Sequence, residues 1–162
     1  MKILVFSDSH RNLSHMVSAV EREHPDQVIH LGDHVRDAEK LQRQYPMLPV
    51  LKVRGNCDYD AADTQEQRIT EFEGVRFLIC HGHRYGVKLG LLRYLMAARE
   101  NQVDAALFGH THCAYCEKES GVWLLNPGSC GAGVRPSYGL ITVAAGTCTC
   151  AVHTFAELED SL

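Results

Sequence analysis

Lys2-Ile3-Leu4-Val5-Phe6-Ser7-Asp8-Ser9-His10 is the stretch from which the fold is read. An unbroken apolar run passes directly into a loop carrying an acid and an imidazole. Apolar residues at consecutive positions, rather than alternate ones, mark a strand buried on both faces of its sheet. The junction recurs along the chain. Ile29-His30-Leu31 runs into Gly32-Asp33, and Leu51-Lys52-Val53 into Arg54-Gly55-Asn56-Cys57-Asp58. Leu78-Ile79-Cys80 runs into His81-Gly82-His83, and Leu107-Phe108 into Gly109-His110-Thr111-His112. Open α/β sheets form their ligand crevice outside the carboxyl ends of the strands, so these loops are expected to share one pocket.

Spacing supports that convergence. In extended chain, residues i and i+2 point the same way, so Asp8 and His10 are expected to reach one ion together. The same holds for His110 and His112, unless a turn directs them to two neighbouring ions. Glycines at 32, 55, 82 and 109 allow sharp turns and close approach to the site.

The intervening sequence supplies the covering elements. A helix is expected over residues 12–23, with Leu13, Val17 and Val20 on one face, then a strand over 27–31, a helix over 37–44 and a strand over 49–53. Residues 67–73 and 75–80, split by Gly74, read as a hairpin. Residues 88–101 read as a helix, with Leu89, Leu92 and Met96 on one side and Leu91 and Leu95 beside them. A buried strand follows at 105–108. Residues 114–118, 122–125, 138–144 and 147–155 read as short antiparallel strands. The fold class is α/β of the α+β sandwich kind: two packed β-sheets flanked by α-helices, in one domain spanning 1–162.

Composition narrows the function. A net charge of −4 argues against a nucleic-acid footprint but not against a small phosphorylated substrate. The first apolar run is too short for a signal-peptide core, and no stretch approaches the roughly 18 apolar residues of a membrane span, so a cytoplasmic protein is expected. The odd count of seven cysteines reads as reduced thiols. No dimer seam stands out, and a homo-oligomer stays open.

The ordered set Asp-x-His, Gly-Asp, Gly-Asn, His-Gly-His and Gly-His-Thr-His resembles the calcineurin-like metallophosphoesterase superfamily. The compact length, the Gly55-Asn56-Cys57-Asp58 variant and the later Asn126-Pro127-Gly128-Ser129 resemble its small YfcE-type phosphodiesterase branch, near which a retromer subunit of similar fold also lies. The resemblance implies two mixed sheets with flanking helices and a dinuclear metal centre. One ion would take Asp8, His10, Asp33 and His112; the other would take Asp33, Asn56, His81 and His110, with Asp33 bridging. The implied activity is hydrolysis of a phosphodiester by a metal-bridging hydroxide. A phosphomonoesterase using the same site, and a catalytically silent scaffold of the same fold, are the alternatives.

Two divalent cations outweigh two carboxylates, so such a centre prefers an anionic phosphate, and paired ions clamp the phosphoryl oxygens during in-line displacement. Imidazole-rich nitrogen and oxygen ligands favour manganese, iron, nickel, cobalt or zinc over magnesium alone without choosing among them, and manganese is placed first.

Cys57 stands where much of the superfamily has a histidine that protonates the leaving group. Nearby metals would lower its thiol from an ordinary value near 8.5, which argues against a general-acid role, and packing beside the site is the competing reading. His83 reads as a substrate contact, a group orienting a ligand, or a solvated loop residue. Asp58 reads as orienting a metal ligand or as a turn residue. Arg11 stands where the family often has glycine and reads as surface-exposed or as a phosphate contact. His34 is placed near the site, and His15, His24 and His153 on helix surfaces or strands. Residues 126–129, with Gly131 and Gly133, read as a turn at the rim. Cys113-Ala114-Tyr115-Cys116 lacks a correctly spaced partner for a zinc knuckle.

Overall fold

A computed structural model describes residues 1–131 and 135–156. Gly133 lies outside them. Five strands form one sheet: β1 (Lys2–Phe6), β2 (Gln27–His30), β3 (Val50–Lys52), β9 (Ser137–Ala144) and β10 (Thr147–Thr154), in the order β10-β9-β1-β2-β3. β1, β2 and β3 run parallel, while β9 and β10 add an antiparallel edge. The second sheet holds β4 (Gln67–Phe72), β5 (Val75–Cys80), β6 (Ala105–Leu107), β7 (Tyr115–Glu119) and β8 (Val122–Asn126), in the order β4-β5-β6-β8-β7. Here β5, β6 and β8 are parallel, and β4 and β7 close the edges antiparallel.

The unbroken apolar runs follow from this layering. Side chains alternate along β1, so Ile3 and Val5 face the second sheet while Leu4 and Phe6 face outward. Between the sheets, Ile3, Val5, Ile29 and Leu31 pack on Phe77, Ile79, Leu107 and Leu125. Helices α1 (Leu13–Glu23) and α2 (Val35–Gln44) cover the first sheet's outer face through Met16, Ala19, Val20 and Leu41. Helix α3 (Leu92–Glu100) covers the second through Tyr94, Leu95 and Ala98. Each central strand is thus apolar on both sides, and every parallel strand ends at the same rim. That rim carries the polar clusters.

Three expectations are corrected. The strand at 122–126 lies parallel to β6 rather than joining a purely antiparallel set. Helix α2 starts at Val35, because the Asp58 carboxylate from the next loop caps it. The third helix starts at Leu92, four residues later than the apolar spacing suggests, because Gly90 sits at φ 153 in the preceding turn. Its phase shifts with it. Leu89, Leu92 and Met96 are 96%, 69% and 53% exposed, and the buried face is Tyr94, Leu95 and Ala98. Tyr94 wins the interior because its hydroxyl donates to Leu78 O (3.1 Å) and Leu107 O (2.6 Å), leaving no unpaired polar atom.

Candidate metal centre

Asp8, Asp33 and His81 are buried at the carboxyl ends of β1, β2 and β5. One oxygen or ring nitrogen from each lies within 4.8 Å of the other two, and Asp8, His10 and His112 form a second such group. His81 Nε2 is 3.5 Å from Asp33 Oδ2 and 3.9 Å from Asp8 Oδ1, and His112 Nε2 is 3.1 Å from Asp8 Oδ1. His10 Nε2 and His112 Nε2 are 3.4 Å apart. The His110 ring centre is 5.1 Å from that of His81. Asn56 is exposed at the edge, its amide donating to Cys57 Sγ (3.3 Å). Asp8 belongs to both groups, and Asp33, to which the resemblance gives the bridging position, lies in the group with His81.

Convergence does not come from strand pleating. Asp8, His10, Asp33, His110 and His112 all have φ between 46° and 70°, beyond the strand ends. Left-handed backbone is costly for residues with a Cβ and concentrates at functional sites. The turn at 110–112 sends His112 to Asp8 and His10, and His110 to His81. This is the alternative to the i, i+2 reading. Gly32, at φ 99, lets its loop rest on the Gly55 backbone, and a Cβ on Gly109 would overlap Ser7 Oγ and sit 3.0 Å from Asp8 Oδ2. The loops can meet only because these positions lack side chains.

Hydrogen bonds hold the ligand candidates in place. The Leu31 carbonyl accepts from His81 Nδ1 (2.8 Å), which fixes the proton there and turns the Nε2 lone pair into the site. His81 Nε2 and Asp8 Oδ1 are buried with no hydrogen-bond partner. Unmet lone pairs facing each other in a buried site suit a divalent cation, and the acid and imidazole donor set suits it too. Asp8 Oδ2 accepts from the Ser7 hydroxyl (2.6 Å) and the His110 N–H (3.1 Å), leaving Oδ1 as the inward atom. Asp33 Oδ1 accepts the Cys57 N–H (2.9 Å).

Asp58 carries more of the design than a turn residue would. It is buried and accepts four backbone N–H groups: Asp33 and Gly55 on one oxygen, His34 and Val35 on the other, all at 2.8–2.9 Å. It therefore caps α2, pins the loop after β2 to the loop after β3, and aims Asp33. Asn126 plays the same part opposite, donating to Gly109 O (3.0 Å) and Thr111 Oγ1 (2.9 Å) while accepting Gly128 N–H (2.9 Å). Ser129 donates to Asp8 O (2.8 Å). The rim turn is thus a brace for the Gly-His-Thr-His loop, which no local sequence signal announces. His30 is fully buried, bonded to Ser9 Oγ and the Gly32 N–H (both 3.2 Å), and burial pushes it down to about 4. His15 is an internal tie rather than a surface residue, stacked on Phe155 and bonded to Cys130 O at 2.7 Å.

The secondary site residues fall around this centre. The His83 ring lies 5.7 Å from His81 and 6.2 Å from His110, with Nδ1 buried and unpaired. His34 packs edge-on to His10 at 5.1 Å. Cys57 is exposed. Partial burial and the Asp33 carboxylate push its thiol up to about 11, the opposite direction to the lowering that nearby metals would cause.

Two mixed sheets with acids and imidazoles gathered at their parallel strand ends define a metallophosphoesterase. Residues 1–146 match the model of the calcineurin-like phosphoesterase superfamily domain, and the chain belongs to that superfamily of hydrolases. It is 35% identical over 133 residues to the probable metallophosphoesterase YsnB of Bacillus subtilis (strain 168), covering 80% of this chain and 75% of that one. It is 30% identical over 106 residues to phosphodiesterase YfcE of Escherichia coli (strain K12), covering 57% and 52%. A Vps29 variant from Entamoeba histolytica superposes with a TM-score of 0.73 at 20% identity, over 96% of this chain and 99% of that one. No helix among the described residues is long and apolar enough to cross a membrane.

Proposed function

We propose that the chain is a dinuclear metal-dependent phosphodiesterase acting on a small phosphorylated substrate. The observation that carries it is the gathering of buried Asp8 Oδ1 and His81 Nε2, 3.9 Å apart and without hydrogen bonds, with Asp33 Oδ2 3.5 Å from His81 and His112 Nε2 3.1 Å from Asp8. One ion is assigned to Asp8, His10, Asp33 and His112, the other to Asp33, Asn56, His81 and His110, with manganese the first choice. Bound there, the ions supply Lewis acidity toward the phosphoryl oxygens and an acidified water. Asp58 and Leu31 O keep Asp33 and His81 in their receiving orientations. Cys57 lies beside Asp33, and His83 borders the same opening. The diester preference is supported by the name of the YfcE relative.

The test is to strip the protein of metal, restore manganese, and compare bis(4-nitrophenyl) phosphate with 4-nitrophenyl phosphate. Faster turnover of the diester is expected. Faster turnover of the monoester would make it a phosphomonoesterase. No turnover with manganese, iron, cobalt, nickel or zinc would make it a scaffold.

A further inference from the structure

A cleft of about 550 Å³ opens beside the metal centre, on the side of His34 and Cys57. Its inner wall touches the centre: His34 packs on His10 at 5.1 Å, and the Cys57 N–H holds Asp33 Oδ1 at 2.9 Å. Its outer walls come from Arg11 after β1, from Lys40 on α2, and from Tyr59 after β3. The volume suits a ligand of nucleotide size.

The cleft contains three carboxylates, and each already has a cationic or N–H partner. Both oxygens of Asp58 are filled by four backbone N–H groups. Asp37 accepts from the Ser9 hydroxyl (2.8 Å), the Arg11 N–H (2.8 Å) and Lys40 Nζ (3.3 Å). Asp60 is paired with Arg36. The Arg11 guanidinium has no ion pair or hydrogen bond among the described residues, although its backbone is fixed by Asp37 and held at φ 68. Tyr59 is 87% exposed, with no hydrogen bond or ring contact among the described residues. A planar fork of unused donors and an open aromatic face stand on the walls of one cleft. The first suits a phosphate, and the second suits a flat ring.

We infer that this cleft binds the arm of a nucleotide-type phosphate ester. One phosphoryl group lies at the metal centre, a second phosphate pairs with Arg11, and the base stacks on Tyr59. The inference rests on the phosphodiesterase reading for the role of the first phosphoryl group and gives that reading its substrate class.

Isothermal titration calorimetry on the manganese-loaded protein tests it, with adenosine 5′-diphosphate, inorganic pyrophosphate and adenosine as probes. The diphosphate should bind about tenfold or more tightly than either pyrophosphate or adenosine, since a stacked base and a bidentate phosphate contact each contribute on that scale. Arg11→Ala should weaken the diphosphate about tenfold, and Tyr59→Ala should narrow its advantage over pyrophosphate. Arg68→Ala, which removes an exposed cation on β4 outside the cleft, should bind as wild type does. Circular dichroism checks that each variant is folded. Equal affinity for diphosphate and pyrophosphate in the wild type, or unchanged diphosphate binding in Arg11→Ala, would overturn the inference. Nucleotide binding without turnover of bis(4-nitrophenyl) phosphate would uphold the cleft and remove the phosphodiesterase reading; turnover without selective binding would do the reverse.

Discussion

A single buried carboxylate, Asp58, determines where Asp33 points, because it satisfies the N–H of Asp33 and the first N–H groups of α2 together. Asp58→Ala would leave four backbone donors without an acceptor, at a cost of about 2–4 kcal/mol in denaturant unfolding and with metal affinity lowered 10- to 100-fold. Asp58→Asn should recover part of both, since one amide oxygen can still accept. His30 sets a pH dependence at the same scale. Folded, it stays neutral down to about 4, whereas an unfolded histidine takes up its proton near 6.5. Between those values the unfolded chain binds more protons, so stability falls as pH drops through this window. By pH 4 the loss from His30 is about 3 kcal/mol, and a His30→Gln variant should show a shallower fall in melting temperature between pH 6.5 and 4. An equal slope in the variant would place the titration elsewhere. The acids and imidazoles that gather at the rim were legible in the sequence because each follows an apolar run. An orienting role for Asp58 was one of two open readings, whereas Asn126, Ser129 and His30 were not legible as braces, because their partners lie on distant loops and leave no spacing to read.

At the scale of the element, periodicity identified each strand and α-helix among the described residues but not the short 3-10 turn at His83–Tyr85, and its apolar stripe on α3 was only partly the buried one. Apolar spacing marked Leu89, Leu92 and Met96, with Leu91 and Leu95 beside them; the fold exposes the first three and buries Leu95 with Tyr94 and Ala98. A helix presents whichever stripe its start dictates, and Gly90 delays that start. The two assignments separate cleanly by mutation. Met96→Lys should change unfolding stability by less than about 0.5 kcal/mol, whereas Leu95→Ala should cost about 2–4 kcal/mol. The opposite ranking would mean that α3 packs through its leucine-rich side. Direction of pairing was likewise only partly readable. Near-continuous apolar runs indicate burial on both faces, but the parallel docking of β8 on β6 is set by a crossover that no local pattern records.

Across the whole molecule, the two sheets serve one purpose at one rim: they bring loops from opposite layers close enough to share ligands. Asp8 and Asp33 come from the first sheet, and His81, His110 and His112 from the second. Cations bound at this rim would tie the layers together. By linkage, saturating manganese should raise the melting temperature, with about 2.7 kcal/mol of added stability at a hundredfold excess over the dissociation constant of a site. Chelation should reverse that gain. The most direct measurement is the metal content of manganese-equilibrated protein after gel filtration, taken for the wild type and for Asp33→Ala. Two ions per chain in the wild type, with loss of metal in the variant, is the predicted result. A wild-type protein that retains none, or an Asp33→Ala protein that keeps both, would contradict the dinuclear centre.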